Sequence, residues 1–127
     1  MNGAQVLWEK QDGIEVWSFN PTTFAKTGTY TSNFPNGYKA KDIETKDGKI
    51  FLLLTNQDSL AKLQIITLNG VIEKSFDVVL VGWNANAIEI RSDGKIDLLL
   101  SGGDGKAKIV VLNQDGIIES DEEYVGS

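Results

Sequence analysis

The sequence predicts an all-β fold assembled from copies of one antiparallel unit. Three observations carry the prediction. Apolar runs such as Ile50-Phe51-Leu52-Leu53-Leu54 are bounded by Gly and Asp and have strand length rather than helix length. Asp-Gly stands at 12–13, 47–48, 93–94, 104–105 and 115–116, and Asn-Gly at 2–3, 36–37 and 69–70. These dipeptides supply the positive φ of hairpin turns, so each marks a strand reversal. The chain also echoes itself. Asp47-Gly48-Lys49-Ile50 recurs as Asp93-Gly94-Lys95-Ile96, and Leu52-Leu53-Leu54 as Leu98-Leu99-Leu100, both at a shift of 46. A further step back lands on Val6-Leu7-Trp8.

In order, 5–9 and 15–18 read as a hairpin around Asp12-Gly13, and 27–31 as a third strand after the Pro21 loop. Residues 32–37 read as a loop. Residues 39–44, 50–55, 63–68 and 71–76 make one complete four-stranded unit. Residues 79–85 form the next connection, with Trp83 in it. Residues 87–90, 96–100, 107–112 and 117–122 make a second unit, and the polar tail 124–127 is expected to fray. No window shows a capped 3.6-residue period, so almost no helix is expected.

Four short strands in about 45 residues is the pattern of a β-propeller blade. The predicted architecture is a β-propeller-like array of about three four-stranded antiparallel blades. The divisions are a partial blade at 1–38, which lacks an opening strand, a blade at 39–85 and a blade at 86–127. The alternative is a β-sandwich or barrel containing two similar hairpin pairs. One such sheet buries neither face alone, so neighbours supply the core. Closed propellers hold about four to eight blades. Either copies associate, two three-blade chains making the simplest ring, or further repeats of a parent protein complete it.

Composition removes several function classes. The net charge is −6, which lacks the basic footprint of a nucleic-acid binder and opposes an anionic membrane surface. There is no Cys and no His, so thiol chemistry and the commonest general base are absent. Residues 1–13 show no signal-peptide pattern, and no apolar run reaches the roughly 20 residues of a membrane-spanning helix.

The segment Arg91-Ser92-Asp93-Gly94-Lys95-Ile96-Asp97-Leu98-Leu99-Leu100, continuing to Leu112, resembles the FG-GAP/VCBS propeller repeat. Residues 6–20, VLWEKQDGIEVWSFN, are similar to the variant in which an LW…VW hairpin precedes the aspartate loop. The resemblance implies a seven-bladed propeller, an extracellular or cell-surface location, and adhesion or ligand binding, in some members as lectins. It also implies a Ca²⁺ loop, Asp-x-Asp-x-Asp-Gly-x-x-Asp, whose oxygens suit a hard cation. In the third unit that pattern falls on Glu89, Arg91, Asp93, Gly94 and Asp97. In the second it falls on Ile43, Thr45, Asp47, Gly48 and Phe51. Arg91 puts a cation where an oxygen ligand belongs, so Glu89, Asp93 and Asp97 form a degenerate Ca²⁺ loop, and no other cofactor is expected.

Trp83, Asn84 and Asp104 are the candidate ligand-binding residues, because they fall at predicted blade ends. Trp8 and Trp17 sit inside apolar strands and are expected in the core between blades. Residues 101–105, SGGDG, lack the Lys-Ser/Thr and helix of a phosphate cradle and read as a hairpin loop. Asp121-Glu122-Glu123 reads as a charged edge that discourages strand addition. The functional expectation is a non-catalytic module, structural or binding carbohydrate or a protein partner. The alternative is a self-assembling propeller fragment without a ligand of its own. A glycosidase built on paired carboxylates ranks last, since such short turns leave little material for a cleft.

Overall fold

The computed structural model describes residues 4–58, 60–78 and 81–125. Among the described residues the regular elements are eleven strands and one 3-10 turn at Gly103–Gly105. The strands are β1 (Ala4–Lys10), β2 (Gly13–Phe19), β3 (Lys26–Asn33), β4 (Lys39–Lys46), β5 (Lys49–Thr55), β6 (Ala61–Thr67), β7 (Ile72–Val78), β8 (Trp83–Ile90), β9 (Ile96–Gly102), β10 (Lys106–Leu112) and β11 (Ile118–Val125). They form three antiparallel sheets: β1-β2-β3, then β4-β5-β6-β7, then β8-β9-β10-β11. Among the described residues no sheet closes on itself, which removes the barrel alternative.

Registers show that the sheets are copies. Leu7 pairs with Val16, Leu53 with Leu63 and Leu99 with Ile109. Thus β1, β5 and β9 are equivalent, as are β2, β6 and β10, and then β3, β7 and β11. Strands β4 and β8 are the fourth equivalent pair, each bulged near its start, between Ala40 and Asp42 and between Ala85 and Ala87. The first sheet has no such strand among the described residues.

The core explains why β5 is apolar at every position. The side chains of a strand point alternately to opposite faces. Ile50, Leu52 and Leu54 pack with Ile14 and Val16 of the first sheet. Phe51 and Leu53, facing the other way, pack with Ile88, Ile96, Leu98 and Leu100 of the last sheet. The middle sheet is therefore covered on both faces, and a continuous apolar run follows.

One contact recurs from junction to junction. Tyr30 of β3 lies against Gly70 in the β6–β7 turn, and Phe76 of β7 lies against Gly116 in the β10–β11 turn. Tyr30 and Phe76 are register equivalents, paired with Val16 and Leu63. Each glycine has positive φ, +82° and +86°, and a Cβ there would sit against β3 at Gly70 and against the Phe76 ring at Gly116. The middle and last sheets are also joined by polar contacts. Asp42 Oδ2 accepts the Ile88 N–H at 2.8 Å, and Lys74 pairs with Asp115 at 2.7 Å. Removing the Asp42 carboxylate strands a part-buried N–H, so Asp42→Ala is expected to cost about 1–3 kcal/mol, read by urea unfolding.

Several expectations need correction. Trp83 opens β8 rather than lying in a connection, because its ring packs over Gly102 on β9. The third unit therefore begins at 83, not 86. The tail is not frayed at 124, since β11 continues to Val125 against β10. The first reversal centres on Gln11-Asp12, with Lys10 paired to Gly13. Gly13 serves close strand approach instead, its missing Cβ lying 2.4 Å from the Ser32 carbonyl oxygen. The Asn2-Gly3 signal lies outside the described residues.

Candidate functional site

A pocket of about 490 Å³ opens between the first and middle sheets. Gln5, Leu7 and Val16 line one side, and the β4–β5 corner from Thr45 to Ile50, with Leu68, lines the other. Its origin is legible in the repeat. Gln5 stands where the middle sheet has Phe51, and Val16 where it has Leu63. Smaller side chains and the missing fourth strand leave the space that Phe51 helps to fill at the next junction. The lining offers apolar surface from Leu7, Val16 and Leu68 beside Gln5, Lys46, Asp47 and Lys49.

The Asp93 loop has a different geometry. Glu89 and Asp97 are cross-strand partners on β8 and β9. Asp97 Oδ1 lies 2.7 Å from Arg91 Nε, so the guanidinium already neutralises it. Asp93 sits at the turn, where its carboxylate accepts the Lys95 N–H at 3.0 Å, and Lys95 pairs with Glu119 at 2.8 Å. Among the described residues no three His, Cys, Asp or Glu side chains come together to hold a metal ion. A cation at this loop would have to displace Arg91 from Asp97, so millimolar Ca²⁺ is expected to leave the melting temperature of the protein unchanged. A rise in melting temperature would show that Arg91 swings aside for the cation.

The turn also changes the repeat register. Asp47-Gly48 is a two-residue reversal with Lys46 paired to Lys49, whereas β8 and β9 are joined by the five residues 91–95. Before the turn the shift is accordingly 45, and Glu44, not Ile43, is the partner of Glu89 in the repeat. Both glutamates line a second pocket of about 350 Å³ with Thr45, Lys46 and Ile90. Burial, then the negative charges of Asp42 and Glu89, hold the Glu44 carboxyl above the usual carboxylate range. A raised carboxyl pKa favours the protonated folded form. That stabilisation is full below the unfolded pKa and is lost as pH rises through the folded one. Glu44→Gln is expected to raise the melting temperature at pH 7 and to make no difference below about pH 4.

The predicted blade-end residues do not gather into one site. Trp83 is half-buried against the core, with Lys108 Nζ 4.6 Å from its ring centroid, so it anchors β8. Asn84 is exposed and lines a small cleft of about 180 Å³ with Lys41, Thr55, Asn56, Ala85 and Asn86. Asp104 lies in the 3-10 turn Gly103–Gly105.

Trp8 and Trp17 depart from expectation. They pack against each other at 5.2 Å on the face of the first sheet that no described sheet covers. Trp17 Nε1 donates to Glu15 Oε1 at 2.6 Å, and Lys26 Nζ stands 3.9 Å from the Trp17 ring centroid. An apolar strand reads the same whether its neighbour is in this chain or elsewhere, so sequence alone does not separate the two cases.

No protein-family model and no curated protein matches the chain. Among solved structures it is similar to a protein of unknown function from Bacteroides caccae, with a TM-score of 0.59 and 20% identity. The match covers 96% of this chain and 40% of that one. The likeness concerns the fold alone.

Proposed function

We propose that the chain is a segment of a β-propeller, its three sheets being successive blades, and that it serves as a non-catalytic binding platform. The observation that carries this reading is the repetition of one junction. The same strands, the same faces and the same approach of the third strand to a turn glycine, at Tyr30–Gly70 and at Phe76–Gly116, join the first sheet to the middle one and the middle to the last. A radial array repeats its junction in that way. Binding is assigned to the pocket between the first two sheets, where the repeat departs from itself. Leu7 and Leu68 present an apolar floor, and Gln5, Asp47 and Lys49 offer the hydrogen-bonding groups that hold a sugar's hydroxyls.

A glycan array tests this. Retention of one carbohydrate class is expected, with loss of retention when Gln5→Phe restores the bulk found at Phe51. No retention on the array, or retention indifferent to Gln5→Phe, overturns the assignment.

A further inference from the structure

The two ends of the stack are uncovered, and they are opposite faces of the same repeated sheet. In the middle sheet Leu52 and Leu54 are fully buried under the first sheet, and in the last sheet Leu98 is fully buried and Leu100 nearly so under the middle one. The equivalent positions of the first sheet are Val6 and Trp8, which are 39% and 48% exposed. Trp17 and Phe19 extend that aromatic face across β2, with their rings at 6.4 Å.

The opposite face type is uncovered on the last sheet. Leu99 and Ile109 are cross-strand partners there and are half-buried, where their equivalents Leu53 and Leu63 are covered. Asp97 and Glu122 flank this strip, at the positions of Phe51 and Phe76. A polar group at the Phe51 position does not prevent stacking, because Gln5 occupies it at the junction of the first two sheets. The charges also match: Glu122 supplies an acid on the strip, Asp97 being already paired with Arg91, and the aromatic face carries Lys26 over Trp17.

We infer that a second copy of this chain seats the Leu99–Ile109 face of its last sheet on the Val6–Trp8–Trp17 face of the first sheet. The contact is head-to-tail, and made twice it closes a ring of six sheets. The inference rests on the propeller reading, since it reuses the junction already formed twice within the chain.

Sedimentation equilibrium from micromolar to millimolar protein is expected to show a mass of two chains at the upper end. Trp8→Glu, which puts a carboxylate into the apolar contact, is expected to yield one chain. Leu99→Glu is expected to do the same, with Tyr124→Glu as a second variant at an exposed position on that face should Leu99→Glu melt early. Mixing Trp8→Glu with Leu99→Glu leaves one intact pair of faces and restores a two-chain species. Wild type that stays a single chain at millimolar concentration overturns the docking, whatever other partner the face accepts. So does a two-chain Leu99→Glu protein beside a one-chain Trp8→Glu protein, which means that like faces pair. Hydrogen exchange at the Ile88 amide separates the two levels. A single-chain protein that protects this amide loses only the docking, whereas an unprotected amide removes the sheet junction on which the propeller reading stands.

Discussion

Leu98→Ala is expected to lower the unfolding free energy by about 3–5 kcal/mol, and its neighbour Leu99→Ala by about 1 kcal/mol. The two residues are chemically identical and adjacent on β9, and differ only in the face they occupy. Leu98 is fully buried among the side chains that join the middle and last sheets. Truncation there leaves a cavity in a rigid junction and adds a cavity cost to the lost transfer free energy. Leu99 faces outward and is half-buried, so the space it vacates opens to water. Chemical denaturation at micromolar protein, where association does not contribute, measures both. Equal losses, or a larger loss at Leu99, would mean that β9 presents its other face to the middle sheet. A slip of one residue has that consequence, since it reverses every side chain of a strand.

The same alternation decides how much was legible beforehand. The triplets at 52–54 and 98–100 announced buried strands, and turn dipeptides such as Asp47-Gly48 located the reversals around them. Together they placed every strand of the two complete units to within a few residues. Other features depend on tertiary context. Trp8 reads as core because its strand is apolar, but burial is a property of what stands opposite, and no described sheet stands opposite the Trp8 face of the first. The Asp12-Gly13 pair imitates a turn signal, yet its glycine is there to let two strands approach. A single extra residue in the 91–95 turn moved Glu44 into line with Glu89, which a fixed shift of 46 conceals. The pocket at Gln5 was written in the sequence as a departure from Phe51, and became visible only once the register showed which positions correspond.

Gly13→Ala is the smallest substitution expected to disturb a whole sheet. The new methyl would stand 2.4 Å from the Ser32 carbonyl oxygen and 3.1 Å from the Asn33 Cα, both backbone atoms of β3. No side-chain rotation relieves a clash with backbone, so β2 and β3 must separate where Gly13 pairs with Asn33. Ser32 and Ile14 are buried at this place, and separation loosens their packing against the middle sheet. A loss of about 2–4 kcal/mol is expected, in the range of overpacked and strained core sites. Gly37→Ala is the matched control. Gly37 has a positive φ of +86° with no atom within 4 Å of its missing Cβ, so it bears only the left-handed backbone cost of about 1–2 kcal/mol. Thermal unfolding with hydrogen exchange on β2 and β3 distinguishes them. Gly13→Ala is expected to accelerate exchange across the first sheet ahead of global melting, and Gly37→Ala to lower the melting temperature without that local signature. If Gly13→Ala proves the milder of the two, the close approach of β2 to β3 is not what its glycine serves.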